Sequence, residues 1–342
     1  MMLRRTVWLM DGTWAPVRLQ RCETVRVMEK IKIGISTCLL GEKVRYDGGH
    51  KLDRYITETL GQFFEYIPVC PEVEYGLPIP RESLRLMGDP SAPRLVTTRT
   101  GIDHTDGMRK WAERKLDELE REGLSGFIFK SRSPSSGLKG VKVYTPSGMP
   151  SHSGVGIFAA AFTRRNPHLP VTDEGRLHDP ALREIFIDSV FVYRRWQQLL
   201  QKGGHAKDLV AFHTELKLLL LSHSPKHYGL LGQIVARAGS LNSDELHAAY
   251  GSLLMQALRL QATASKNTNV LLHAVGYFKK KLTNEEKEEL LEVIETYRKR
   301  YLPLIVPVTL INHYIRQYRE PYLGRQFYFN PSPVELMLRN HT

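Results

Sequence analysis

Ile31, Ile33 and Ile35 alternate with Lys32 and Gly34, the period-two pattern of a β-strand. Leu52, Ile56, Leu60 and the Phe63–Phe64 pair then recur at helical spacing, and Tyr66 to Val69 is a second short apolar run. Met108, Trp111, Ala112, Leu116 and Leu119 trace a helical stripe that Gly123 is placed to stop. Gly126 to Phe129 and Val141 to Tyr144 read as further strands, and Ile157 to Phe162 opens a helix. Such alternation predicts a mostly parallel α/β sheet. Beyond about residue 175 the strand signals fade. Helical stripes run over 180–201, 207–222, 244–261 and 284–301, with Leu290, Leu291, Ile294 and Tyr297 on one face of the last. Ser243 and Asn284 are suitable N-caps. The pattern therefore predicts an α/β N-terminal domain over 28–175, a connecting helix and hinge over 176–204 with the turn at Lys202-Gly203-Gly204, and an all-α domain over 205–342.

Residues 1–27 follow neither period, and the clean pattern begins at Met28. They are expected to be a disordered arm or an extension ahead of a natural start at Met28. The first ten residues, MMLRRTVWLM, carry two arginines, but no signal-peptide core follows, and no apolar run in the chain approaches the length of a membrane span. A cytoplasmic protein is expected. Three cysteines in 342 residues, Cys22, Cys38 and Cys70, do not make a disulfide scaffold.

Three unusual stretches each follow directly on a predicted strand: STCLLG at 36–41, VCPE at 69–72 and SRSPSSG at 131–137. In an open parallel sheet, ligands bind at the carboxyl ends of the strands, so the period alone brings these three segments together. Taken alone, Cys38 and Cys70 fit buried structural thiols, zinc ligands, or a catalytic or iron–sulfur thiol; they lack the paired C-x-x-C spacing of a zinc site.

The net charge is +12, and +8 of it lies beyond Phe191, where 20 Lys and Arg face 12 Asp and Glu. A basic excess speaks of partners rather than of fold, and nucleic acid is the commonest. Gly276 to Lys281 sets Tyr277 and Phe278 beside Lys279, Lys280 and Lys281, and Arg298-Lys299-Arg300 ends a helix. Tyr277, the three lysines, Arg298 and Arg300 are the candidates for phosphate contact and base stacking. Core packing for the aromatics and dipole compensation for the arginines are the plainer roles. His213 and His223 are ten positions apart, off any common helical face, and read as structural or RNA-facing rather than metal-binding.

The segments TCLLGEKVRYDGG, VCPEVEYGLPIPR and KSRSPSSG, in this order, resemble the TudS-like thiouracil and thiouridine desulfidases over about residues 30–165. LVAFHTELKLLLLSHSPKHYGLLGQIVA, NTNVLLHAVGYFKKKL and PSPVELMLRNH resemble the YbgA-type domain over about 205–342. Proteins joining the two resemble bacterial tRNA 4-thiouridine desulfidases. The resemblance implies a Rossmann-like α/β domain and three thiolates, one per motif, holding a 4Fe-4S cluster with one iron open to the sulfur of a thiolated base. It also implies tRNA, or a free thiolated nucleobase, as partner. Cys38 and Cys70 match two of the ligands. The chemistry needs a proton-transfer group, for which Glu72 is the first candidate and Asp47 the second; an N-cap or a salt-bridged surface carboxylate is the plainer role for Glu72, and a turn role for Asp47. The resemblance implies that Ser133 and Ser135 bond the base or the cluster sulfurs; turn chemistry around Pro134 is their plainer role.

The family pattern SPSCG is here SPSSG, with Ser136 at the third ligand position. A hydroxyl gives up its proton far less readily than a thiol, and oxygen is a harder donor. The serine ligates iron, or Cys22 replaces it, or a cysteine has been substituted, or the lineage binds RNA without a cluster. Two other chemistries are set aside. SHSGVG with Ala159 resembles a dinucleotide fingerprint but reads as following a loop rather than a strand. A serine hydrolase using Ser135 or Ser136 with His152 lacks the G-x-S-x-G elbow.

Overall fold

In the computed structural model, residues 29–145, 149–239, 242–331, 333, 336 and 338–340 are described, with the backbone of 6–8 and 14–16. Met28 and Cys22 lie outside the described residues. In chain order the strands are β1 Thr6–Trp8, β2 Trp14–Pro16, β3 Ile31–Ser36, β4 Phe64–Val69, β5 Leu84–Met87, β6 Arg94–Thr97, β7 Phe127–Phe129, β8 Val141–Tyr144, β9 Pro150–Gly154 and β10 Val171–Asp173. The helices are α1 Pro71–Glu74, α2 Thr105–Glu122, α3 Ile157–Arg165, α4 Glu174–Leu177, α5 Pro180–Gln201, α6 Ala206–His223, α7 Pro225–Ala236, α8 Ser243–Leu258, α9 Ala264–Gly276, α10 Asn284–Arg298, α11 Ile305–Gln317 and α12 Pro321–Gly324. The chain divides after Lys30 into two units. In the first, β1 and β2 pair antiparallel, in a stretch where the sequence has no strand period.

In the second unit, β3 forms where the isoleucines alternate, and it lies inside a parallel sheet of order β10-β7-β3-β4. Both faces are covered, which explains the unbroken apolar run of β7. Ile128 joins Ile33, Ile35, Ile56 and Phe186 on one side, while Phe127 and Phe129 join Met108, Trp111, Phe158 and Phe162 on the other. Gly34 sits under the Phe127 ring; a Cβ there would lie 2.2 Å from it. Helix α2 buries the predicted stripe and ends at Gly123 with φ 66°. A second sheet, β6-β5-β8-β9, pairs β5 with β8 in parallel and is flanked by antiparallel strands. Its β5, β6 and β9 are too short and too mixed in composition to give a period.

Two local expectations change. The stripe from Leu52 to Phe64 is not one α-helix but a π-turn over Tyr55–Thr59 and a 3-10 turn over Leu60–Gln62; Ile56 and Leu60 are fully buried. The caps of α8 and α10 each fall one residue earlier, on Asn242 and on Thr283. Thr283 makes a capping box with Glu286, because its hydroxyl reaches the N3 amide.

Beyond α4 the chain is helical. Helix α5 serves two cores: Phe186, Ile187 and Val190 pack on the parallel sheet, and Val192, Trp196 and Leu199 pack among the later helices. Gln197 fastens it further, accepting from Ser125 Oγ at 2.7 Å and donating to the Leu124 carbonyl at 3.0 Å. Lys202 to Gly204 turns the chain into α6, with Gly203 and Gly204 at positive φ and the Gly204 carbonyl bonded to His247. No helix among the described residues is long and apolar enough to cross a membrane.

His213 and His223 are both core residues of α6. His213 Nδ1 meets Tyr250 Oη at 3.1 Å, and His223 Nδ1 lies 2.6 Å from the Leu260 carbonyl. Burial pushes each down to about 4. The folded chain thus excludes a proton that the unfolded chain accepts near pH 6.5. Stability is complete above that pH and falls as the pH drops towards 4. At pH 5 each histidine costs about 2 kcal/mol relative to neutral pH. Urea unfolding at pH 7.5 and pH 5 should show the loss, and His213→Gln should remove about half of it.

Candidate active site at the strand ends

Strand β3 lies between β4 and β7, so the ends of these three strands are neighbours. After Ser36 the chain turns through a 3-10 segment, Thr37–Leu40, that carries Cys38. After Val69, Cys70 stands at the N-cap of α1, with Pro71 and Glu72 in its first turn. After Phe129 the chain runs through Lys130 to Gly137, and the Lys130 amide bonds Ser36 Oγ at 2.8 Å. Cys38, Cys70, Glu72, Ser133 and Ser136 all wall one cavity of about 300 Å³. This is the convergence that the period predicts.

The polar groups of the cavity are directed. Glu72 Oε2 accepts from Arg81 Nε at 3.0 Å and from Arg81 Nη2 at 2.5 Å; the Arg81 side chain is only 4% exposed. Glu72 Oε1 accepts from Ser135 Oγ at 2.9 Å, and Ser135 Oγ lies 3.0 Å from Ser133 Oγ. With the Ser135 proton on Glu72, Ser133 donates to Ser135. Its own oxygen accepts the amides of Ser135 and Ser136, at 3.3 and 3.1 Å. The result is a hydroxyl relay from Ser133 through Ser135 to a carboxylate fixed by an arginine.

Gly156 holds this loop in place. A Cβ there would come within 2.6 Å of the Ser135 carbonyl. The first amides of α3 are taken by loop carbonyls: Gly156 by Gly137, Ile157 by Pro134 and Phe158 by Ser135. This corrects the reading of SHSGVG. Its first residues form β9 and lead into α3, so a strand and a helix are present, yet the helix amides that a pyrophosphate would need are occupied by the loop.

Burial pushes the Cys38 thiol up to about 11, against the opposing effect of the Lys130 ammonium, and burial raises the Cys70 thiol as well. Both are neutral thiols at pH 7 unless an electropositive group replaces the protons. Among the described residues no group of three His, Cys, Asp or Glu side chains is placed to hold a metal ion; Ser136, on the wall with Cys38 and Cys70, stands at the third motif position. Ser136 is buried, and its side chain makes no hydrogen bond among the described residues.

Asp47 stands apart from the cavity wall. It accepts the Gly49 amide at 3.0 Å and meets Arg45 Nε at 3.4 Å, contacts that hold its carboxyl below the usual value, the Gly49 bond foremost. This is a turn role. The basic candidates occupy the helical region. Tyr277 is exposed and stacks on Tyr322 at 4.8 Å, whereas Phe278 is fully buried. Lys279 and Lys280 are exposed, while Lys281 pairs with Glu320 at 2.6 Å. Arg298 is held by Glu295 at 2.7 Å, and Arg300 lines a separate cavity with His223 and Arg339. Arg81 and Lys130 are the site residues that sequence reasoning missed. The only signal for them was a cation at the end of GLPIPR and another directly after a strand.

A parallel-sheet domain with two free thiols and a carboxylate relay at its strand ends, joined to a helical region through a shared helix, defines the class. Residues 33–174 match the model of a family described as 2-thiouracil desulfurase. Residues 217–333 match one described as a protein of unknown function, DUF1722. The uncharacterized protein YbgA of Escherichia coli strain K12 is 31% identical over 152 residues, 44% of this chain and 90% of the relative. A solved structure of a 4Fe-4S-dependent thiouracil desulfidase, TudS, is 33% identical; the match covers 45% of this chain and 97% of that one, with a TM-score of 0.37. The chain belongs to the family that joins a 2-thiouracil desulfurase domain to a YbgA-type helical domain.

Proposed function

We propose that this chain exchanges the sulfur of a thiolated uracil for oxygen, with 4-thiouridine in tRNA as its substrate. The reaction takes C=S and water to C=O and hydrogen sulfide, with no net redox change. What carries the reading is the meeting of Cys38, Cys70, Ser136 and Glu72 in one base-sized cavity. The donor set suits a 4Fe-4S cluster held at three corners, by sulfur from Cys38 and Cys70 and by oxygen from Ser136, whose hydroxyl has no other partner among the described residues. Bound there, the cluster supplies a thiophilic Lewis acid.

The chain's own residues supply the proton traffic. Glu72 Oε1, at the end of the serine relay, takes a proton as water adds to the carbon and returns one to the departing sulfur. Arg81 fixes the carboxylate in the orientation that faces Ser135. The exposed Lys279 and Lys280 and the Tyr277–Tyr322 stack fit an RNA contact from the helical region. A reducing cytoplasm suits the two unpaired cysteines.

The test is anaerobic reconstitution with iron and sulfide, followed by 2-thiouracil, 4-thiouridine or thiolated tRNA. Sulfide release with loss of the 4-thiouridine near-ultraviolet band is expected, fastest with tRNA. Retained iron without sulfide from any of the three would overturn the reading. One observation favours a second reading, an RNA-binding protein with no stable cluster: the oxygen donor at position 136. No iron retained together with tight tRNA binding would select it.

A further inference from the structure

Beside the site, sharing Lys130, Ser131, Arg132 and Pro134 as a common wall, opens a groove of about 1510 Å³. It exceeds the roughly 300–1,000 Å³ of small-molecule pockets, whereas the cavity at the strand ends is nucleobase-sized. The second sheet and α4 build it: Arg85 from β5, Lys142 and Tyr144 from β8, Lys139 from the loop before β8, and Arg176 from α4.

Several basic side chains elsewhere on the molecule are neutralised, as is Lys130 on the shared wall by Glu174. Arg164, Arg165 and Arg195 are each paired with carboxylates. Arg85, Arg132, Lys139, Lys142 and Arg176 form no ion pair among the described residues. Nε of Arg85 and Nε of Arg176 are buried with no hydrogen-bond partner among the described residues. The two carboxylates on the wall are engaged at helix N-termini, Asp173 by the Arg176 amide and Asp179 by the amides of Ala181 and Leu182. The Arg85 guanidinium lies over the Tyr144 ring, 5.6 Å from its centroid. A row of unneutralised cations with an arginine-backed aromatic suits a chain of phosphates with intervening bases.

We propose that this groove carries the ribose–phosphate strand flanking the thiolated base, so that the α/β domain itself selects RNA over a free base. The inference rests on the desulfidase reading only for the identity of the base in the cavity. Phosphate binding in the groove is independent of turnover. An RNA strand is favoured over an acidic polypeptide because the cations continue directly into a base-sized cavity.

The test uses the full chain with Lys139→Glu/Lys142→Glu, both exposed positions, and separately Arg176→Gln. Binding of an unmodified tRNA transcript is measured between 50 and 300 mM salt, and sulfide release is measured from 2-thiouracil and from thiolated tRNA. The double variant should lose at least ~10-fold in RNA affinity, and its slope of log K against log salt should flatten by about 1.5. Release from 2-thiouracil should stay unchanged, and release from thiolated tRNA should fall. Unchanged affinity and slope in both variants would overturn the proposal, as would equal competition by polyglutamate and by RNA. If no substrate yields sulfide but the double variant still loses RNA, the groove stands and the desulfidase reading falls. If sulfide appears and RNA binding ignores both variants, the reverse holds.

Discussion

Ser136→Cys should raise the iron retained after anaerobic reconstitution to about four per chain, with matching acid-labile sulfide. The rate of sulfide release from thiolated tRNA should rise at least ~10-fold over the chain with serine at 136. The argument starts from the donor. Iron in such clusters prefers a soft thiolate, and an alkoxide must first lose a proton of much higher pKa. The exchange should cost the fold little. The Ser136 side chain makes no hydrogen bond among the described residues, so none is broken, and it faces the cavity rather than the packed side of the loop. What fixes position 136 is its backbone, through the amide bond to Ser133 Oγ and the packing of Gly156 against Ser135. Cys38→Ser should act in the opposite sense and leave no retained iron, because one sulfur donor cannot hold the cluster against dilution. Iron analysis with visible absorption decides the matter. Equal iron in the serine and cysteine chains would mean that position 136 is not a ligand, and would remove the main support for the arrangement at the strand ends.

The sequence made the convergence of three distant segments legible because one physical rule governs it. Strands that alternate with helices lie parallel, and parallel strands present their carboxyl ends on a single edge. Thus Cys38, Cys70 and Ser136 could be placed together from Ile31–Ile35, Tyr66–Val69 and Gly126–Phe129 alone. Of the second sheet only β8, Val141–Tyr144, could be read this way. Its other strands are four or five residues long, with Arg85 and Arg94 among them, and pairing such pieces depends on tertiary contacts rather than on period. Helix α5 was legible as a helix but not as an element shared by two cores, since its apolar residues change partners near Phe191 with no break in spacing. The same limit applies at atomic scale. Glu72 stood out as a carboxylate beside a strand-end cysteine. Its arginine partner lies nine residues on, past two prolines, and nothing in their spacing announces a contact. Asp47 attracted notice for the same reason as Glu72, as an acid in a motif, but a glycine two residues later turns its carboxylate onto the backbone.

Glu72→Gln should lower the rate of sulfide release by ~10²–10⁴-fold with the iron content unchanged. The amide keeps the shape of the side chain and can still accept from Arg81, yet it cannot take up a proton at the end of the Ser133–Ser135 relay. A merely structural role for Glu72 predicts something different. The Arg81 side chain is 4% exposed and that of Glu72 16%, so losing the negative charge leaves a nearly buried guanidinium with neutral acceptors, the amide oxygen and the carbonyls of Val44 and Pro78. Breaking a buried pair in this way costs about 3–5 kcal/mol, less where an amide preserves some of the bonds. If that loss were the whole effect, Arg81→Lys would reproduce the fall in rate. If proton transfer is the effect, Arg81→Lys should keep most of the rate, because the carboxylate remains. Ser135→Ala separates the two further. It leaves the Glu72–Arg81 pair intact but cuts the relay, and should lower the rate ~10-fold or more while shifting its pH dependence towards that of a carboxylate served by water alone. A Glu72→Gln chain that retains iron and releases sulfide at the natural rate would remove Glu72 from the chemistry. It would leave the relay, and the cavity it faces, as a binding device for the base.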